Sequence, residues 1–255
     1  MILDLDGVIW RGGEPIDGSA EAVGRLRSAD KRILFVTNNS NPTVDETVEK
    51  LRGFGIDVEP DELVTSAQAA ASLLEEGTTA LVCGGPGVEE ALKARGVDPL
   101  HEGDADAVVV GFHKSFDYDR LTAAFKAVIH GARLIGTNDD PTYPTPDGPL
   151  PGGGSLLAAV ATAAGVDPVV AGKPHQGMAD LVRQRLGDDL DGTVLVGDRP
   201  STDGLMAKRL GVPFILVLSG VTGEEDDDDM DVEIDGQAND LASLVGPDGE
   251  LQELA

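Results

Sequence analysis

Four things are scarce in this chain of 255 residues. Cysteine occurs once, as Cys83, which excludes a disulfide framework and any zinc site built from several thiolates. No apolar run approaches the roughly 18 residues that a helical membrane span needs, and charge arrives as early as Asp4, so no secretory leader is read. Basic residues number 19 against 46 acidic ones, a formal net charge of −27. Such a surface is repelled by DNA, RNA and anionic lipid, which excludes nucleic acid and membrane as partners. Aromatic residues make up only 4 % and lysines number only 7, while Asp outnumbers Glu by 30 to 16. A cytoplasmic protein of halophilic origin is the expectation. Its self-repulsion weakens as the Debye length falls to about 3 Å at 1 M salt.

What remains is a globular composition, 41 % hydrophobic, long enough for one or two domains with a substantial core. Short apolar runs at Ile2–Leu5, Arg32–Thr37, Ala80–Cys83, Ala107–Gly111, Arg133–Gly136, Val169–Ala171, Thr193–Gly197 and Phe214–Leu218 suit strands buried on both faces of a parallel sheet. Helical patterns lie between them. Thr43 followed by Glu46 is a capping box, and Ser19, Ser66 and Ser155 read as N-caps. The alternation predicts an α/β architecture. Asp139–Gly154, rich in Pro and Gly, reads as a long loop, and the six acids Glu224–Asp229 read as a solvated one.

The chemistry gathers at strand ends, where open α/β sheets bind ligands. The first strand ends in Asp4-Leu5-Asp6-Gly7; two carboxylates so close repel unless a cation or a shared proton compensates. The second ends in Thr37-Asn38-Asn39, a hydroxyl and loop amides that form a neutral anion cradle. Gly172-Lys173-Pro174 fixes a lysine at another strand end, a point charge suited to a phosphoryl group. Gly197-Asp198-Arg199-Pro200-Ser201-Thr202-Asp203 adds two more carboxylates. Oxygen ligands of this kind favour Mg²⁺ together with phosphate and water, and phosphoryl transfer needs little beyond positioning and charge stabilisation. Gly85-Pro86-Gly87 and Gly152-Gly153-Gly154-Ser155 mimic phosphate loops but lack the third glycine and the lysine those motifs need. His101, His113 and His130 have no ligand-like spacing, and His175 lies beside Lys173.

In this order the motifs resemble those of the haloacid dehalogenase superfamily phosphatases of class IIA, the group of 4-nitrophenyl phosphatase-like and nucleotide monophosphatase-like enzymes. The matching stretches are Asp4–Trp10, Val36–Ser40, Thr137–Pro144, Gly172–His175, Val196–Asp198 and Leu216–Val221. The resemblance implies a doubly wound, Rossmann-like core, residues 1–66 plus 173–255, with an α/β cap inserted at 67–172. It implies Asp4 as nucleophile and Asp6 as acid/base. Mg²⁺ would be held by Asp4, the Asp6 backbone carbonyl and Asp198, with Asp203 orienting the metal site from behind. Thr37, Asn38 and Lys173 would bind phosphate, and the cap loop with Asn138, Asp139 and Asp140 would select a small phosphorylated substrate. Caps of this group often pair, so a homodimer through the cap is expected. The chain departs from the family at Pro200 and Gly204, where an apolar residue is usual, and a glycine there is expected to loosen the following helix. Only three residues precede Asp4, fewer than usual, so an upstream start is expected.

Two other classes compete. A phosphoacceptor signalling module also combines Asp, Thr and Lys on a doubly wound sheet, but its acceptor lies on a middle strand. A non-catalytic phosphate-ligand binder has no need of the Asp4/Asp6 pair.

Overall fold

The computed structural model describes residues 1–143, 145, 148–220 and 232–252; the acidic run Glu224–Asp229, Pro144 and Val221 lie outside them. The chain divides into two compact units, Met1–Thr37 with Thr47–Val64 and Val182–Ala255, and Asn38–Glu46 with Thr65–Leu181.

The first unit is built on a six-stranded sheet of order Gly236–Ala238, Phe214–Val217, Leu195–Gly197, Ile2–Leu3, Leu34–Thr37, Leu63–Thr65. The chain's first strand therefore lies inside the sheet, parallel to Leu34–Thr37 on one side and Leu195–Gly197 on the other. Strand order reverses there, and the carboxyl end of such a switch point is where an open α/β sheet leaves a crevice. Ile2, Leu3, Phe35 and Phe214 are fully buried, each worth about 1.5–3 kcal/mol of transfer energy. The helix Ser19–Ser28 covers the sheet with Ser19, Ala22, Val23 and Leu26, the spacing of one helical face.

The second unit carries its own parallel sheet, order Val169–Val170, Arg133–Gly136, Ala107–Val110, Thr79–Cys83, Asp98–Leu100. Leu81, Val108, Val110 and Leu134 pack against Ala124, Ala127 and Val128 of the helix Tyr118–Ile129, and against Leu157 and Val160 of the helix Gly153–Ala164.

All eight expected strands form: Arg133–Gly136 has the expected bounds, Thr79–Cys83 begins one residue earlier, and the other six are shorter. The first stops at Leu3 because the Leu5 carbonyl accepts from the amides of Val8, Ile9 and Trp10, which turns the chain at once. The capping box forms: Glu46 N donates to Thr43 Oγ1 at 3.1 Å, and Thr43 N to Glu46 Oε2 at 2.9 Å. The three serines do not cap. Gly18, Thr65 and Gly152 hold those positions, while Ser19, Ser66 and Ser155 donate to the carbonyls of Ile16, Asn38 and Pro141. Each hydroxyl donates its proton to a carbonyl outside its own helix. Asp139–Gly154 is likewise no plain loop. Thr142–Tyr143 and Leu150–Pro151 pair antiparallel within it, strands too short to display an alternating pattern.

Candidate active site

In the first unit, Asp4 follows the strand Ile2–Leu3, and its amide donates to the Val196 carbonyl of the neighbouring strand at 3.0 Å. Asp198 follows Leu195–Gly197. Asp203 lies in the π-helical turn Pro200–Gly204, closed by Gly204 N to Arg199 O at 3.4 Å, a local widening often found at functional sites. Arg199 N in turn donates to Asp203 Oδ2 at 3.2 Å. One carboxylate oxygen from each of Asp4, Asp198 and Asp203 lies within 4.8 Å of the other two, and all three residues are buried. Buried like charges at this range repel strongly unless a cation joins them. An all-oxygen set of this size suits Mg²⁺ with water and phosphate completing it, so the residues fit the metal that the motifs imply.

The surrounding backbone leaves little room. Gly7 has φ 88°, and a Cβ there would fall on the Asp198 side chain, 2.8 Å from its Cβ. Ser219 Oγ donates to Gly7 O at 2.6 Å and holds the turn. A Cβ at Gly204 would stand 3.2 Å from the Phe214 ring, so glycine admits the π turn against the sheet.

Asp6 is outside the carboxylate cluster. Its Oδ1 accepts from Trp10 Nε1 at 2.8 Å. The Lys50 ammonium lies 3.8 Å from the Trp10 ring centroid. Burial holds its pKa below the usual lysine range, with Asp6 pulling the other way. Thr37, buried, ends the strand Leu34–Thr37. Sequence reasoning placed Trp10 in a motif without a role and overlooked Lys50; spacing gives no signal for either, since the contact is made by the fold.

In the second unit, Asn38 is a hub. Its Oδ1 accepts from Lys173 N at 2.7 Å, its Nδ2 donates to Lys173 O and to Asp140 Oδ2 at 3.0 Å each, and its carbonyl accepts from Asn138 Nδ2 at 2.8 Å. Lys173, Asn38, Asn138 and Asp140 are thereby brought together, and Lys173 and Asn138 are buried. Both N–H groups and the oxygen of the Asn38 side-chain amide are engaged here. Asp139 Oδ2 pairs with His175 Nε2 at 2.8 Å, and this hydrogen bond holds the Asp139 pKa below the usual carboxylate range. Tyr143 stacks on Phe112 with ring centroids 4.8 Å apart. His113 is a packing residue, edge-on to Phe116, while His101 and His130 pair with Glu89 and Asp104 at the surface. Cys83 is buried at the end of the strand Thr79–Cys83, and burial pushes its thiol up to about 11. No described helix is long and apolar enough to cross a membrane.

A buried carboxylate cluster at the switch point of a parallel sheet, beside a DxD turn, is the layout of an α/β protein of the phosphoryl-transfer type. The chain belongs to the haloacid dehalogenase-like hydrolases: residues 1–98 match the family described as haloacid dehalogenase-like hydrolase, and residues 170–244 the one described as HAD-hydrolase-like. Its named relatives are phosphatases. It is 36 % identical over 228 residues to an acid sugar phosphatase of Staphylococcus saprophyticus, covering 88 % of each chain. Among solved structures it resembles a p-nitrophenyl phosphatase from Archaeoglobus fulgidus, with TM-score 0.88, 33 % identity, and 95 % and 96 % of the two chains covered. It also resembles a glycerol phosphate phosphatase from Mycobacterium tuberculosis solved in complex with magnesium, with TM-score 0.85, 34 % identity, and 95 % and 74 % covered.

Proposed function

We propose that this chain is a Mg²⁺-dependent phosphomonoesterase acting on a small phosphorylated metabolite of the nucleotide or sugar phosphate type. The observation that carries the reading is the convergence of the buried Asp4, Asp198 and Asp203 carboxylates beside Asp6. Asp4, Asp198 and the Asp6 backbone carbonyl, with Asp203 behind them, would hold Mg²⁺, which would supply positive charge against the phosphoryl oxygens. An Asp4 oxygen attacks phosphorus, and the bond from phosphorus to the ester oxygen breaks. Asp6 gives that oxygen its proton. Water then attacks the aspartyl-phosphate, Asp6 takes the water's proton, and inorganic phosphate leaves with Asp4 restored. Thr37, the Asn38 amide and Lys173 hold the phosphoryl oxygens, and Asn138, Asp139 and Asp140 select the rest of the substrate.

Within this reading, residues 1–66 and 173–255 form the catalytic core and 67–172 the cap, which excludes water and pairs two copies. The net charge of −27 supports a halophilic archaeal source with the enzyme working in the cytoplasm. The test is 4-nitrophenyl phosphate hydrolysis at molar KCl: release with Mg²⁺, loss with EDTA and recovery on adding Mg²⁺ are expected. Hydrolysis untouched by EDTA overturns the metal assignment, and none at all overturns the phosphatase reading.

A further inference from the structure

Trp10 is the only tryptophan of the chain. It opens the short strand Trp10–Arg11, paired antiparallel with Glu14–Pro15. The turn from Asp6 to Trp10 is closed along the backbone by Gly7 N to Trp10 O at 2.7 Å and Trp10 N to Leu5 O at 3.1 Å. It is closed again by side chains, through the indole N–H donated to Asp6 Oδ1 at 2.8 Å. The indole cannot tilt freely. Its ring is buried, Lys50 Nζ stands over it at 3.8 Å, and Phe54 packs on it with ring centroids 6.0 Å apart. Tryptophan is the best aromatic partner for such a cation.

An indole nitrogen only donates, so the carboxyl oxygen facing it accepts from it. We propose that Trp10 is a positioning residue that anchors the Asp6 carboxyl through Oδ1 and so aims it to exchange the proton with the ester leaving group. The inference rests on the phosphatase reading above. The carboxyl O–H bond breaks as the leaving oxygen takes the proton, its electron pair coming from the broken bond to phosphorus. Asp6 is left a carboxylate that the indole holds at Oδ1. The proton lost from the attacking water returns to this carboxylate. Lys50 and Phe54 act through Trp10, by fixing the plane in which its N–H points.

A single tryptophan allows an atomic test. Biosynthetic replacement of Trp10 by benzothienylalanine puts sulfur where the N–H was and keeps the ring's shape, and Trp10→Phe is the encoded counterpart. Both are assayed with Mg²⁺ on phenyl phosphates running from 4-nitrophenyl phosphate to unsubstituted phenyl phosphate. The nitrophenolate leaves with little need of a proton, whereas phenolate, with a pKa of about 10 like tyrosine, depends on the acid. The loss in kcat/KM, which does not include hydrolysis of the shared aspartyl-phosphate, is expected to grow along the series, from about twofold to about tenfold or more. A loss equal on every ester is what a merely structural role gives, and it overturns the proposal, as does no loss on any. A wild-type chain inactive on the whole series overturns the phosphatase reading itself and the inference with it. The benzothienyl variant preserves packing, so a folding failure of Trp10→Phe leaves the test intact.

Discussion

Asn38 and Lys173 hold each other from both sides: the asparagine Oδ1 takes the lysine backbone N–H at 2.7 Å, and its Nδ2 reaches the lysine carbonyl at 3.0 Å. Residues 135 positions apart in the chain are thus joined as two neighbours in a sheet are. The Asn38 side chain serves as a brace for the lysine loop.

Asn38→Ala leaves a buried lysine N–H and carbonyl without these partners. Such losses cost about 1–3 kcal/mol each, so a lower urea midpoint is expected, with kcat/KM on 4-nitrophenyl phosphate down by at least about tenfold. Wild-type values for both would contradict the bracing role.

Asp4→Asn should abolish turnover, a fall of about a thousandfold or more, because an amide cannot form the acyl phosphate. In EDTA the same variant should melt above wild type, since it removes one charge from three crowded, buried carboxylates. Melting curves in EDTA and in excess Mg²⁺ check this. With the metal bound the order reverses, because wild type gains linkage stabilisation of about 2.7 kcal/mol at a hundred times Kd.

The Asp139–His175 pair carries a pH signature. His175 lowers the Asp139 pKa from its ordinary 3.8. A depressed carboxylate contributes stability above its unfolded value and loses it as pH falls through the folded one. The stability gap between wild type and His175→Gln is therefore expected at neutral pH and should close below about pH 3.8. Chemical denaturation across that range measures it, and a gap that persists in acid would set the pair aside.

With a net charge of −27, both melting temperature and kcat/KM on an anionic substrate should rise from low to molar KCl. Screening relieves self-repulsion and eases the approach of the anion. A steady fall in both with added KCl counts against a halophilic protein.

Most of the fold was legible because buried parallel strands announce themselves as short apolar runs, as at Ala107–Val110 and Phe214–Val217. Leu63–Thr65, Asp98–Leu100 and Gly236–Ala238 were overlooked. Each is only three residues long, and the last two carry polar or glycine residues, leaving too little pattern to read. Helix starts misled for a related reason: a serine looks like a cap from its type alone, yet Ser66 Oγ is turned to the Asn38 carbonyl at 2.7 Å.

The candidate site divides along the same line. Residue type and spacing alone singled out Asp4, Asp6, Thr37, Lys173, Asp198 and Asp203, because a DxD turn and carboxylates ending successive strands have few uses besides holding a cation and a phosphate. Which of those carboxylates converge was decided by strand order. Placing Ile2–Leu3 beside Leu195–Gly197 sets Asp4 against Asp198, and the π turn at Pro200–Gly204 swings Asp203 to join them while Asp6 turns toward Trp10. Hydrogen-bond partners such as Asn38 with Lys173, and Trp10 with Asp6, follow from backbone geometry on a scale of ångströms. A linear spacing does not encode that geometry; only the closed packing of the chain does.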